Sequence, residues 1–364
     1  MADSVLTKQN RLLWADLIRI VGALMVVLIH TAAPLFHLYG ENTAAYVAGG
    51  IFSSLGHAGV PLFVMASGVF LLDPRREVTA KKACLRYALP IAVLYVVWSF
   101  LYALANKVAE PVLLQHTAVS AGMIREFAVA WVEGAYHLWY LPMTAGLYLI
   151  TPLLRTLTEN KTALKLFLVL AGVFAFAVPT ALHILETVAG DTFGFAALYN
   201  NFYLTEALGY PAYFVAGYAI ANHKPTPGQK RWVFSLGALS LVLMAALTFL
   251  LSAVRGEEDS ALLEPLTLFN ALYGVGMFAL FAWCGKSTAS REKTAAAVTG
   301  LTKLTFGVYV IHVEVQALFK VFLPYTGQNP VGYILLQWVA VTAISLAVSW
   351  VISKIPGVKK LIRG

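Results

Sequence analysis

The chain has 364 residues, of which 59% are hydrophobic and only 12% charged, with a mean hydropathy of +0.74. Soluble domains carry about 25% charged residues, so water is not the main solvent of this chain. Its net charge of +8 is distributed as membrane topology demands rather than as a nucleic-acid surface, which excludes that class of partner. Apolar runs long enough to cross about 30 Å of hydrocarbon occupy residues 14 to 36, 46 to 72, 84 to 105, 137 to 155, 163 to 185, 203 to 222, 232 to 253, 262 to 285, 302 to 325 and 331 to 353. The pattern predicts an all-α, polytopic membrane protein of about ten transmembrane helices, forming one membrane domain over residues 1–364. The second run is interrupted by Gly56, His57, Gly59 and Pro61, and the fourth carries Pro142 and Pro152. Residues 123–136 place Ile124, Phe127, Ala128 and Trp131 at helical spacing, as an interfacial helix would.

Lys and Arg stay preferentially on the cytoplasmic side, and this bias sets the orientation. With the N-terminus inside, the inner segments hold Lys8 and Arg11; Arg75, Arg76, Lys81, Lys82 and Arg86; Arg155, Lys161 and Lys165; Lys224, Lys230 and Arg231; Lys286, Arg291, Lys293 and Lys303; and Lys354, Lys359, Lys360 and Arg363. The outer ones hold Lys107, Arg125, Arg255 and Lys320, together with the acidic run Glu257, Glu258 and Asp259. Both termini are therefore expected in the cytoplasm, in a multi-pass protein of the inner (plasma) membrane. The first run is too long for a signal-peptide core and contains Arg19, so it is expected to stay as a helix. Cys84 and Cys284 both map near the reducing leaflet with no second cysteine close by, which indicates neither a disulfide nor a metal site.

An ionisable side chain inside a span costs about 3 kcal/mol if unpartnered, so each is a functional candidate. The set is Asp16, Arg19, His30, His57, His137, Glu206 and His312 with Glu314. Arg19 and His30 are eleven residues apart, which is three helical turns plus about 20° and an axial distance of about 16 Å. They share a face, with Asp16 three residues before Arg19 and within reach of it. The alternative is that Asp16 and Arg19 are interfacial anchors and His30 a helix contact. His312 has Tyr309 and Gln316 on its own face, whereas Glu314 lies about 200° round the helix. His57, near Pro61, and Glu206, before Gly209 and Pro211, sit where helices break, and breaks in membranes are tolerated beside cavities. Ser67 and Gly68 read as residues of close helix packing.

The stretch Trp14 to Pro34, WADLIRIVGALMVVLIHTAAP, resembles the first helix of the acyltransferase-3 family of membrane acyltransferases, marked by an Arg, ten residues and a His. Val60 to Leu72, His137 to Leu154 and Leu304 to Val315 are similar to further segments of that family, in the same order. The resemblance covers essentially the whole chain and implies a ten-helix O-acyltransferase without a C-terminal hydrolase-like domain. It implies transfer of an acyl group, most simply acetyl from cytoplasmic acetyl-CoA as co-substrate, to a hydroxyl of a carbohydrate or lipid-linked glycan, with no metal. His30 would be general base or acyl carrier, with Arg19, Asp16 and His312 beside it. Arg75, Arg76, Lys82 and Arg86 would hold the phosphates of the donor, although the family's Arg, two residues, Arg spacing is stretched here to Lys82 and Arg86. His137, Trp139 and Tyr140 would offer the acceptor a stacking surface, with His57 and Glu206 lining the site. The rival class is a secondary transporter or flippase of a glycan or lipid precursor. The acceptor, the acyl group and the oligomeric state are not legible.

Overall fold

A computed structural model describes residues 8–113, 116–285 and 292–362, without the side chains of residues 8–12 and 292–294. The side chains of Lys8, Arg11, Lys286, Arg291, Lys293 and Arg363, which enter the charge count above, lie outside the described ones. The helices in chain order are α1 (Lys8–Phe36), α2 (Thr43–Gly56), α3 (Gly59–Leu71), α4 (Ala80–Leu113), α5 (Ala121–Glu133), α6 (Tyr140–Glu159), α7 (Lys161–Ala189), α8 (Phe195–Asn200), α9 (Leu204–Asn222), α10 (Pro227–Arg255), α11 (Leu268–Cys284), α12 (Glu292–Thr302), α13 (Thr305–Phe322) and α14 (Pro330–Lys354). No strand occurs among the described residues.

Every one of the ten apolar runs is helical, and eight segments are long and apolar enough to cross a membrane. The other two, α6 and α9, are helices of 20 and 19 residues. Arg155 and Glu159 in α6, and Glu206 and Asn222 in α9, dilute their apolar character. Caps mark several starts: Asn42 accepts from the Ala45 amide at α2, and Thr226 and Gln229 form a reciprocal capping box at α10. The second run breaks at His57 and Ala58, between α2 and α3. The expected interfacial helix is α5, held along α4 by Trp131 Nε1 donating to the Val96 carbonyl at 3.0 Å and by Tyr95 donating to the Val132 and Glu133 carbonyls at 2.9 Å.

Helix α1 is the hub, packed against α2, α3, α11, α12, α13 and α14. Small residues let the neighbours close in. A methyl group at Gly68 of α3 would collide with the Phe214 carbonyl of α9, and one at Gly217 of α9 with the Met65 carbonyl of α3, which is close backbone packing of the kind read from the sequence at Gly68. Helices α1 and α13 run parallel and in register. The Thr302 hydroxyl donates to the Asp16 carbonyl at 3.3 Å, and the Gln316 amide donates to the His30 carbonyl, each pair 286 residues apart in sequence. Fourteen residues separate the two rungs on each side, a run of about 21 Å along α1, the first rung coming from Thr302 at the end of α12 and the second from Gln316 of α13. Trp338 of α14 fixes the middle of α1 by donating to the Leu24 carbonyl at 2.8 Å.

Candidate active site

A cavity of about 1190 Å³ follows the face of α1 from Leu13 through Asp16, Arg19 and Val26 to His30, an axial length of about 25 Å. At one end it is bordered by Asp16, Arg19 and the α12–α13 junction, with Thr299, Gly300, Thr302 and Lys303. Trp139, Glu264 and Pro265 also line it. Arg19 and His30 thus face one space, as their spacing requires.

Around His30 the packing gathers four further aromatic rings, two imidazoles and two phenols. The His30 ring centroid lies 4.9 Å from that of His312 and 5.4 Å from that of Tyr136, whose hydroxyl stands 3.4 Å from His30 Nδ1. His137 lies 5.5 Å from His312 and 4.9 Å from Tyr102. Tyr136 and His137 arrive on a short 3-10 turn (Tyr136–Trp139) that follows Gly134, whose φ of 75° suits glycine. His137 is therefore buried beside His312. Tyr309 donates to the His137 carbonyl at 2.6 Å and so ties α13 to this turn.

The tautomers follow from the partners. A carbonyl oxygen only accepts, so His312 Nδ1, 2.7 Å from the Tyr309 carbonyl, carries its proton. In a neutral ring that leaves His312 Nε2 as the lone-pair nitrogen, buried and without a hydrogen-bond partner among the described residues. His57 Nδ1 likewise donates to the Ser53 carbonyl at 2.6 Å, which directs the lone pair of a neutral His57 ring to Nε2. His30, His57 and His137 border the cavity and His312 stands behind them. Trp139, Tyr140, Thr144 and Tyr148 continue the wall. Ser67 also borders it, with its hydroxyl donated to the Phe63 carbonyl at 3.0 Å.

The Asp16–Arg19 ion pair expected from the sequence is not formed. The Asp16 carboxylate instead accepts from the Thr299 hydroxyl at 3.2 Å, because α12 packs over the start of α1. The Arg19 guanidinium lies 5.2 Å from the centre of the Phe70 ring, and the Arg76 guanidinium lies 5.3 Å from the same ring. Arg75 and Lys82 are engaged elsewhere, in ion pairs of 2.6 Å with Asp73 and 2.5 Å with Glu77. Lys82 holds the Glu77 carboxyl below its usual range, and Asp73 raises the Arg75 guanidinium. Arg86 is exposed, and none of Arg75, Arg76, Lys82 and Arg86 borders the cavity. Glu206 is exposed on the first turn of α9 and does not border it either.

Three bordering or neighbouring residues escaped the sequence reading. Glu264 opens the eighth apolar run, where its charge was a sufficient signal. Lys303 was counted only as a topological cation. Tyr136 gave no signal, since nothing in sequence relates it to His30. Among the described residues no group of three or more His, Cys, Asp or Glu side chains is arranged to hold a metal ion.

Residues 12–354 match the family model described as an acyltransferase domain. No curated protein and no solved structure matches the chain.

Proposed function

The chain belongs to the acyltransferase-3 family, and from that premise we propose that it moves an acyl group, acetyl from acetyl-CoA in the simplest case, onto a hydroxyl of a carbohydrate or lipid-linked glycan. The observation that carries this reading is the position of His30: an imidazole bordering a cavity that is also lined by the cation Arg19 and the aromatic Trp139. A donor with charged phosphates suits the Arg19 end. A sugar ring suits the aromatic wall, where Trp139 packs against Tyr210 at 5.6 Å between ring centroids. The charge bias of the loops favours a cytoplasmic position for the Asp16 end of the cavity and for both termini, in a plasma-membrane protein.

His30 acts in one of two ways. As general base it takes the proton of the acceptor hydroxyl while the oxygen attacks the thioester carbonyl, then returns that proton to the departing thiolate. As acyl carrier its free nitrogen attacks the thioester, the thiolate leaves, and the acceptor hydroxyl then displaces imidazole. In both, the neutral His312 behind it provides a lone pair that can share the proton. His57, His137, Trp139 and Tyr140 are the acceptor-side wall. Asp16, through Thr299, fastens α12 beside the donor end of the cavity.

The test is His30→Ala in membrane vesicles supplied with radiolabelled acetyl-CoA, scored as label transferred to membrane glycan. A general base contributes about 10²- to 10⁴-fold, so the variant should lose at least two orders of magnitude while inserting normally. Activity within a few-fold of the parent removes His30 from the chemistry.

A further inference from the structure

Arg19 lies within a membrane-spanning helix and has no ion pair among the described residues. Its guanidinium lies over the face of Phe70, and a cation–π contact compensates a half-buried charge only partly. Phe70 is shared: Arg76 lies over the same ring, which keeps a second guanidinium near Arg19 although it does not itself border the cavity. Lys303 borders the cavity from the turn between α12 and α13, is exposed, and has no carboxylate partner among the described residues. Among the described residues that border this end of the cavity the carboxylate is Asp16, already bonded to Thr299. The wall there is made of Ala295, Ala296 and Gly300, which leaves room for a bulky group.

We propose that Arg19, Arg76 and Lys303 form a binding site for a diphosphate, and that its occupant is the pyrophosphate of a nucleotide thioester. The site rests on the donor reading given above and replaces the basic loop as the place of phosphate contact, since Arg75 and Lys82 in that loop are neutralised by Asp73 and Glu77. From Arg19 to His30 is about 16 Å along the helix. An extended pantetheine arm has comparable length, so a diphosphate held at the Arg19 end sets the thioester beside the imidazole.

The same chemistry is presented by phospholipid headgroups, and the experiment separates the two sources. The intact protein, in phosphatidylcholine nanodiscs, is titrated calorimetrically with inorganic pyrophosphate, acetyl-CoA and acetyl-pantetheine. Loss of one charge-assisted phosphate contact weakens binding by about tenfold or more. Lys303→Gln, at an exposed position that does not endanger folding, should show that loss for pyrophosphate and acetyl-CoA and none for acetyl-pantetheine. Arg19→Gln should lose more, and Lys165→Gln, remote from the cavity, should match the parent. Pyrophosphate binding without acetyl-CoA binding would sustain the anion site and sink the donor reading. Acetyl-CoA binding that survives Lys303→Gln and Arg19→Gln but is lost in Lys82→Gln/Arg86→Gln would overturn the site and leave the donor reading standing. Absence of pyrophosphate binding to the parent overturns the site as well. Suppression of pyrophosphate binding when phosphatidylglycerol replaces phosphatidylcholine would assign the site to lipid and overturn the nucleotide assignment.

Discussion

Inserting one alanine between Gly22 and Ala23 separates the two ends of the cavity without changing any side chain. The insertion turns everything after it by about 100° and advances it by about 1.5 Å relative to everything before it. The structure supplies anchors on both sides. Before the insertion, Asp16 is held by Thr299 and Thr302. After it, the Leu24 and His30 carbonyls are held by Trp338 and Gln316. Either the second pair yields, and His30 leaves the cavity, or the first pair yields, and Arg19 swings off Phe70. In each case two hydrogen bonds of about 1 kcal/mol each are lost, so about 2 kcal/mol, which ten packed helices withstand. Arg19 and His30 cannot then both face the same space, and transfer of label from acetyl-CoA to membrane glycan should fall at least a hundredfold while the amount of inserted protein stays near the parent's. A well-inserted variant with activity within threefold of the parent would refute the shared-face arrangement.

Two further outcomes follow from particular contacts. Arg19→Lys keeps the charge but gives up the planar group that stacks on Phe70 and can take two phosphate oxygens together, so it should raise the KM for acetyl-CoA about tenfold or more; steady-state kinetics that match the parent would count against a stacked, bidentate role. Gly68→Ala forces α3 away from the Phe214 carbonyl of α9, an overpacking strain of about 1–3 kcal/mol. Its Tm in detergent should drop by several degrees, whereas Gly146→Ala, with open space around the new methyl, should not shift; equal Tm values for both would mean that the contact relaxes without cost.

Helices were legible wherever hydropathy and length speak for themselves, and so was the break in the second span, because Gly56, Gly59 and Pro61 bracket His57. The common face of Arg19 and His30 follows from helical periodicity alone. The partner of Arg19 did not, since a spacing of three residues permits an Asp16 contact but says nothing of α12, whose Thr299 reaches Asp16 from 283 residues away. The basic loop illustrates the same limit. Charge density along the sequence marked Arg75 to Arg86 as the phosphate clamp, yet local acidic residues satisfy two of those cations, and the cations that border the cavity are Arg19 and Lys303. Tyr136 and His137 reach His30 through a turn whose depth depends on how α5 lies along α4. No local pattern encodes that depth.

The in-register pairing of α1 with α13 bears on how the protein comes into being. Its two rungs join residues 286 apart, so the first helix to leave the ribosome waits for almost the last one before its histidine acquires a backing wall. Until α13 inserts, there is no His312 behind His30, no Gln316 on its carbonyl and no Tyr309 to hold the turn that carries His137. The wall around His30 is therefore completed only when α13 has joined the bundle.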